Sequence, residues 1–181
     1  MKDTGITRRI DELGRIVIPR ELRKTLRIKE GEPLEFYSDG DRLIIKKYSP
    51  VASIEGVAKM VADGIAELAE KACIIVDNDQ IVYATGNKLK DLIGKEISAE
   101  LLSALSDRKS LILSKADGGE VLPLADDKTL DAENQLIVPI MAEGDVFGGV
   151  ILFDCDKDSR FNCADVKFVK LGATFLAKQF E

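Results

Sequence analysis

The chain has 181 residues, 45% of them hydrophobic, with a formal net charge of −6 and no histidine. That length suits one or two compact domains, and the missing histidine excludes His-based triads, general bases and metal sites. Three cysteines (Cys73, Cys155 and Cys163) form no CxxC pair, which argues against zinc, and no apolar run reaches the length of a membrane span. The odd cysteine count and a start without a secretory apolar core predict reduced thiols in the cytoplasm.

The charge is divided unevenly. Residues 1–50 carry 12 Lys and Arg against 9 Asp and Glu, a net of +3. The remainder carries 14 against 23, a net of −9. Such asymmetry suggests that the first part meets a polyanion. Composition and hydrophobic period change at Lys46-Lys47-Tyr48-Ser49-Pro50, so two domains are expected, 1–50 and 53–181.

In chain order, Gly5–Ile10 is β-prone, Leu13-Gly14 is a turn, and Arg15–Ile18 is a short β-branched run. Pro19 is expected to open a helix reaching Leu26, because its missing N–H costs nothing in the first turn. Leu22 and Leu26 would face inward, while Arg20, Arg23, Lys24 and Arg27 share the other face. Pro33–Ser38 and Arg42–Lys47 read as strands joined by Asp39-Gly40, with Leu34 and Phe36 on the buried side. A helix face of charges is ordinarily just solvated. Here all four are positive, and Arg8, Arg9 and Arg15 precede them, which favours phosphate binding. Below about 50 residues a single core rarely offsets the conformational entropy, so this module is expected to form a homodimer.

The stretch Thr4–Arg23, and above all Leu13-Gly14-Arg15-Ile16-Val17-Ile18-Pro19, resembles the AbrB-type swapped-hairpin family of transition-state regulators. The resemblance covers about residues 1–50. It implies two chains interlacing hairpins into one β-barrel-like body that binds double-stranded DNA. It also implies DNA contacts at Arg8, Arg15, Arg23 and Lys24. Relatives often carry Arg where Lys24 stands, and Lys keeps the charge but loses the bidentate geometry.

Ser49-Pro50 reads as a cap and first-turn proline of a helix over Val51–Lys71. Its large stripe is Ile54, Val57, Val61, Ile65 and Leu68; its small stripe is Ala58, Ala62, Ala66 and Ala69. Both sides need burial, one on a sheet and one on another helix. Ala72–Val76 and Ile81–Thr85 predict a hairpin. Leu89–Ile93 and Ala99–Leu105 predict helices, the second capped by Ser98. Glu120–Leu124 is a candidate strand, followed by a polar loop at Ala125–Asn134. Gln135–Met141 and Val146–Phe153 are strands, and Gly148-Gly149 suggests a bulge or close packing. A last helix starts near Asn162, with Asp165 near its positive end.

This order resembles a GAF-type sensor domain over about residues 53–180, an antiparallel sheet with its terminal helices on one face. The fold class is therefore α+β. The two halves together resemble a family of late-sporulation regulators of spore-forming bacteria. That resemblance implies sensor domains pairing through their first and last helices, and so a tetramer.

A sensor pocket, if there is one, would be lined by Cys73, Ile75, Tyr83, Val138 and Ile140, with polar help from residues 125–134. The favoured reading of these positions is plain core. The Asn-Lys-x-Phe-Asp-Glu pattern of cyclic-nucleotide relatives is missing, and no His beside a Cys suggests a bilin, so no cofactor is expected. The expected function is a nucleoid-associated, DNA-binding regulator of forespore-type late gene expression, activating or repressing, with an unidentified small molecule as a further partner. Two alternatives stand beside it: a swapped-hairpin antitoxin that binds a toxin, and a GAF-type free-methionine sulfoxide reductase using the cysteines. Poor cysteine clustering speaks against the enzyme.

Overall fold

The computed structural model describes residues 5–28, 30–31, 33–125 and 132–180. The chain folds as two compact units that divide between Tyr48 and Ser49.

In the first unit, helix α1 spans Arg20–Thr25. Strands β1 (Leu34–Asp39) and β2 (Arg42–Lys47) pair antiparallel, from Leu34 opposite Lys47 to Asp39 opposite Arg42. Pro19 is the N-cap of α1 rather than its first helical residue. The expected strands at 5–10 and 15–18 are not paired into a sheet. A ladder needs a neighbouring edge, and the backbone bonds of this stretch instead close a turn between Asp11 and Arg15.

Pro19 is the one buried residue among those described in this unit. Leu26 and Phe36, expected inward, are 54% and 64% exposed, and Ile10, Leu13, Val17 and Leu43 are exposed as well. The unit has the apolar residues of a core without enough chain to cover them.

The second unit begins with a short helix α2 (Pro50–Ser53), then α3 (Glu55–Ala69). The expected single helix is interrupted at Ile54, whose φ of −112° and ψ of 32° leave the helical region. The preceding Ser53 hydroxyl donates to the Pro50 carbonyl at 2.6 Å, a local bond that competes with helix continuation.

Five strands follow: β3 (Ala72–Val76), β4 (Ile81–Ala84), β5 (Leu111–Ser114), β6 (Asn134–Ala142) and β7 (Asp145–Asp154). They form one antiparallel sheet in the order β4-β3-β7-β6-β5. A 3-10 helix (Asn87–Leu92) and helix α4 (Ala99–Ser106) lie between β4 and β5, and helix α5 (Cys163–Ala177) closes the chain. Ser98 caps α4 by accepting from Leu101 N–H at 3.1 Å. At α5, Asn162 and Asp165 form a reciprocal capping box.

The candidate strand at 120–124 is not one; the edge position belongs to β5, at Leu111–Ser114. Pro123 has no N–H to give a ladder. The Gln135 side chain pairs there instead, accepting from Leu122 N–H at 2.9 Å and donating to Leu122 O at 3.3 Å.

Strand alternation creates two cores. On one face Cys73, Ile75, Leu136, Val138, Ile140 and Leu152 pack with Ala58, Ala62 and Ile65 of α3 and Val169, Ala173 and Leu176 of α5. On the other, Ile74, Val76, Ile137 and Ile151 pack with Leu92, Leu101 and Leu105. Ala58, Ala62 and Ala69 of the small stripe are buried, as is Ile65 of the large one, whose Leu68 is 65% exposed.

Gly148 marks the tightest approach. Its φ is +151°, the β6–β7 register shifts beside it, and a Cβ there would overlap the Val76 carbonyl oxygen of β3. The expected bulge and close packing are therefore one feature.

Candidate nucleic-acid interface

The basic residues lie on three short pieces of the first unit: 8–9, the Asp11–Arg15 turn, and α1 with its C-terminal exit. All seven expected contacts (Arg8, Arg9, Arg15, Arg20, Arg23, Lys24 and Arg27) are exposed.

Asp11 organises the turn. Its Oδ1 accepts from Leu13 N–H at 3.0 Å and from Arg15 N–H at 2.8 Å. Its Oδ2 accepts from Arg15 Nε at 2.7 Å. The Asp11 carbonyl accepts from Gly14 N–H at 3.0 Å, and Gly14 takes a φ of +76°, where a side chain is strained. The Arg15 backbone N–H, then its guanidinium, hold the Asp11 carboxyl below its ordinary value. Arg8 bends back locally, donating from Nη1 to Thr7 O at 2.9 Å.

Arg23 and Lys24 sit in the last turn of α1, where cations complement the helix dipole. Arg27 is not on the helix face as its spacing suggested. The helix stops at Thr25, and Arg27 takes a left-handed φ of +52°. Ile28 N–H reaches Arg23 O at 2.8 Å and Arg27 N–H reaches Lys24 O at 3.1 Å, a Schellman stop. Glycine usually takes that position; an arginine there is aimed by the backbone turn and not by helical periodicity.

The proposed sensor residues fall elsewhere. Cys73, Ile75, Val138 and Ile140 are buried in the core facing α3 and α5, with Tyr83 packed at its margin. Burial pushes the Cys73 thiol up to about 12. Ala132, in the loop expected to assist them, packs in the opposite core. Residues 126–131 of that loop lie outside the described residues.

A polar cluster at this margin escaped the sequence reading. Lys59 donates to Asp63 at 2.8 Å and to the Tyr83 hydroxyl at 2.9 Å, and Tyr83 donates to Asp63 at 3.0 Å. The hydrogen bonds to Asp63 and Tyr83 raise the Lys59 ammonium, and the one from Lys59 lowers the Asp63 carboxyl. Its only signal in the sequence was the four-residue spacing of Lys59 and Asp63. Ser49, expected as a cap, accepts from Ala52 N–H at 3.0 Å and also donates to buried Asp77 at 2.6 Å.

Residues 53–181 match the family described as stage V sporulation protein T C-terminal, transcription factor. The chain belongs to that family. Residues 7–53 match a second description, antidote-toxin recognition MazE, bacterial antitoxin. Stage V sporulation protein T of Bacillus subtilis (strain 168) is 40% identical over 182 residues, covering 100% of this chain and 99% of that protein. Transition state regulatory protein AbrB of the same organism is 40% identical over 93 residues, covering 51% of this chain and 97% of that protein. A GAF domain of the cyanobacteriochrome TePixJ superposes with a TM-score of 0.57 at 12% identity, covering 70% of this chain and 88% of that one. This last likeness shows a GAF-type fold for the second unit of this stage V sporulation protein T family member. Among the described residues, no helix is long and apolar enough to cross a membrane.

Proposed function

We propose that the chain is a DNA-binding regulator of late sporulation genes, acting in the cytoplasm on the nucleoid and without catalytic activity. Residues 1–50 hold two chains together as a swapped-hairpin body, and residues 53–181 act as the GAF-like sensing and pairing domain. The cations Arg8, Arg9, Arg15, Arg20, Arg23, Lys24 and Arg27 of both copies converge on one duplex. Phosphate contacts supply affinity, and a few arginines read bases.

One observation carries this reading: a unit whose seven candidate contact cations are all exposed leaves its aliphatic and aromatic residues uncovered within the single chain. A partner copy would bury them and double the charge. The sensor domain offers a second pairing surface, with Met60 and Leu68 on α3 and Leu171 and Phe175 on α5 exposed. This supports a tetramer. A small molecule bound to that domain would bias DNA binding through α2 and α3, the helices that follow Ser49.

The antitoxin reading draws on the match of residues 7–53. Against it stands a similarity to a sporulation protein along the whole chain, and a second unit with two packed cores in place of an extended toxin-binding tail.

Equilibrium sedimentation of the full chain tests the assembly. The expected mass is two or four times the 19.8 kDa of one chain. A stable monomer at micromolar concentration contradicts the proposal.

A further inference from the structure

We infer that Asp11 is a positioning residue that aims the guanidinium of Arg15 at DNA; this rests on the reading of Arg15 as a DNA contact. The acidic side chain stands between Arg9 and Arg15 in the sequence, where its charge by itself opposes binding of a polyanion. Its geometry explains its presence. One carboxylate oxygen holds the turn through Leu13 N–H and Arg15 N–H, at 3.0 and 2.8 Å. The other takes Arg15 Nε at 2.7 Å.

A guanidinium held at Nε keeps both terminal NH2 groups on its opposite edge. That edge is the pair of donors that matches the O6 and N7 of guanine, or two phosphate oxygens. Three bonds between Asp11 and Arg15, backbone and side chain, fix both where Arg15 leaves the chain and which way its plane faces. The side chains are 71% and 41% exposed for Arg15 and Asp11, so the ion pair itself contributes little to stability. A contact of this kind has more effect on orientation than on folding.

Charge and positioning predict opposite signs. Removing a carboxylate from a DNA-facing surface should tighten binding to every duplex. Losing the aim of Arg15 should weaken the preferred duplex relative to the rest. Asp11→Asn separates the two roles, because an amide oxygen still accepts the turn N–H groups while the amide nitrogen cannot accept from Arg15 Nε.

The test measures affinity of the full chain for a duplex selected by the unmodified protein from a random-sequence library, and for unselected duplex. In Asp11→Asn the ratio of the two affinities is expected to fall by about tenfold, with unselected binding unchanged or tighter. Arg15→Ala is expected to lower the ratio as well, and adding Asp11→Asn to it should change the ratio no further. Asp11→Glu keeps the charge but displaces the acceptor; a lowered ratio there supports positioning even if the Asn variant fails to fold. A ratio untouched by Asp11→Asn and Asp11→Glu, with Arg15→Ala effective, overturns the role of Asp11 alone. A ratio and affinity untouched by Arg15→Ala overturns the DNA contact and Asp11 with it.

Discussion

Replacing Arg15 and Arg23 together by alanine is expected to reduce affinity for a selected duplex by at least about a hundredfold at physiological salt. Each side chain projects from a different piece of the first unit, Arg15 from the turn built on Asp11 and Arg23 from the last turn of α1. An arginine that reads a base discriminates by about 1–3 kcal/mol, and a paired body presents each one twice. Neither arginine packs into a core, since both are exposed, so the substitutions should leave thermal unfolding unchanged. Arg15→Ala should also narrow the gap between selected and unselected duplex, whereas loss of a phosphate-only contact weakens both alike. Lys109→Ala, an exposed cation of the acidic second unit, is the control and should alter affinity by less than about twofold. Unchanged affinity in the double arginine variant would remove the proposed interface.

Gly148→Ala is expected to destabilise the second unit by about 3–5 kcal/mol, the combined scale of backbone strain and overpacking. A Cβ at this position would overlap the Val76 carbonyl oxygen and press on the Cα of Asp77 at 2.9 Å, so backbone and not a flexible side chain must yield. The φ of +151° adds strain whatever room is made. The displaced atoms belong to the β3–β7 pairing at the centre of the sheet, so both cores are disturbed. The unfolding midpoint followed by circular dichroism should fall by about 10 °C or more. Gly56→Ala provides the contrast. A Cβ there meets open space on α3, and alanine should be neutral or stabilise by up to about 1 kcal/mol. A Gly148→Ala variant that melts with the parent chain would mean that the bulge can open without cost.

The elements that sequence made legible are those whose cause is local. Ser49, Ser98 and Asn162 lie where their caps predict, and the β3–β4 and β6–β7 hairpins follow alternation and turn residues. Position in the sheet is not local. The run at 120–124 is as apolar as β5, but Pro123 and the side chain of Gln135 decide against it. Likewise, residues 5–10 and 15–18 have strand propensity but form no strand among the described residues.

The site shows the same division. The basic residues and the Leu13-Gly14 turn can be read from composition and turn chemistry, whereas the part Asp11 plays in that turn cannot. The departure of Arg27 from the helix face cannot, because a left-handed arginine breaks the residue preference for that stop. The faces of the central strands are not legible in the sequence: Cys73 and Ile75 face α3 and α5, while Ile74 and Val76 lie under α4. Shifting by one residue along a strand exchanges the two faces, and a strand buried on both sides carries no polar residue to mark which is which.

The account depends on cations from paired first units neutralising phosphates. Its most direct test is the affinity of the full chain for duplex DNA between about 0.05 and 0.2 M salt. The logarithm of the association constant should fall with the logarithm of salt concentration at a slope of about −5 or steeper. Affinity that stays level across that range would contradict it.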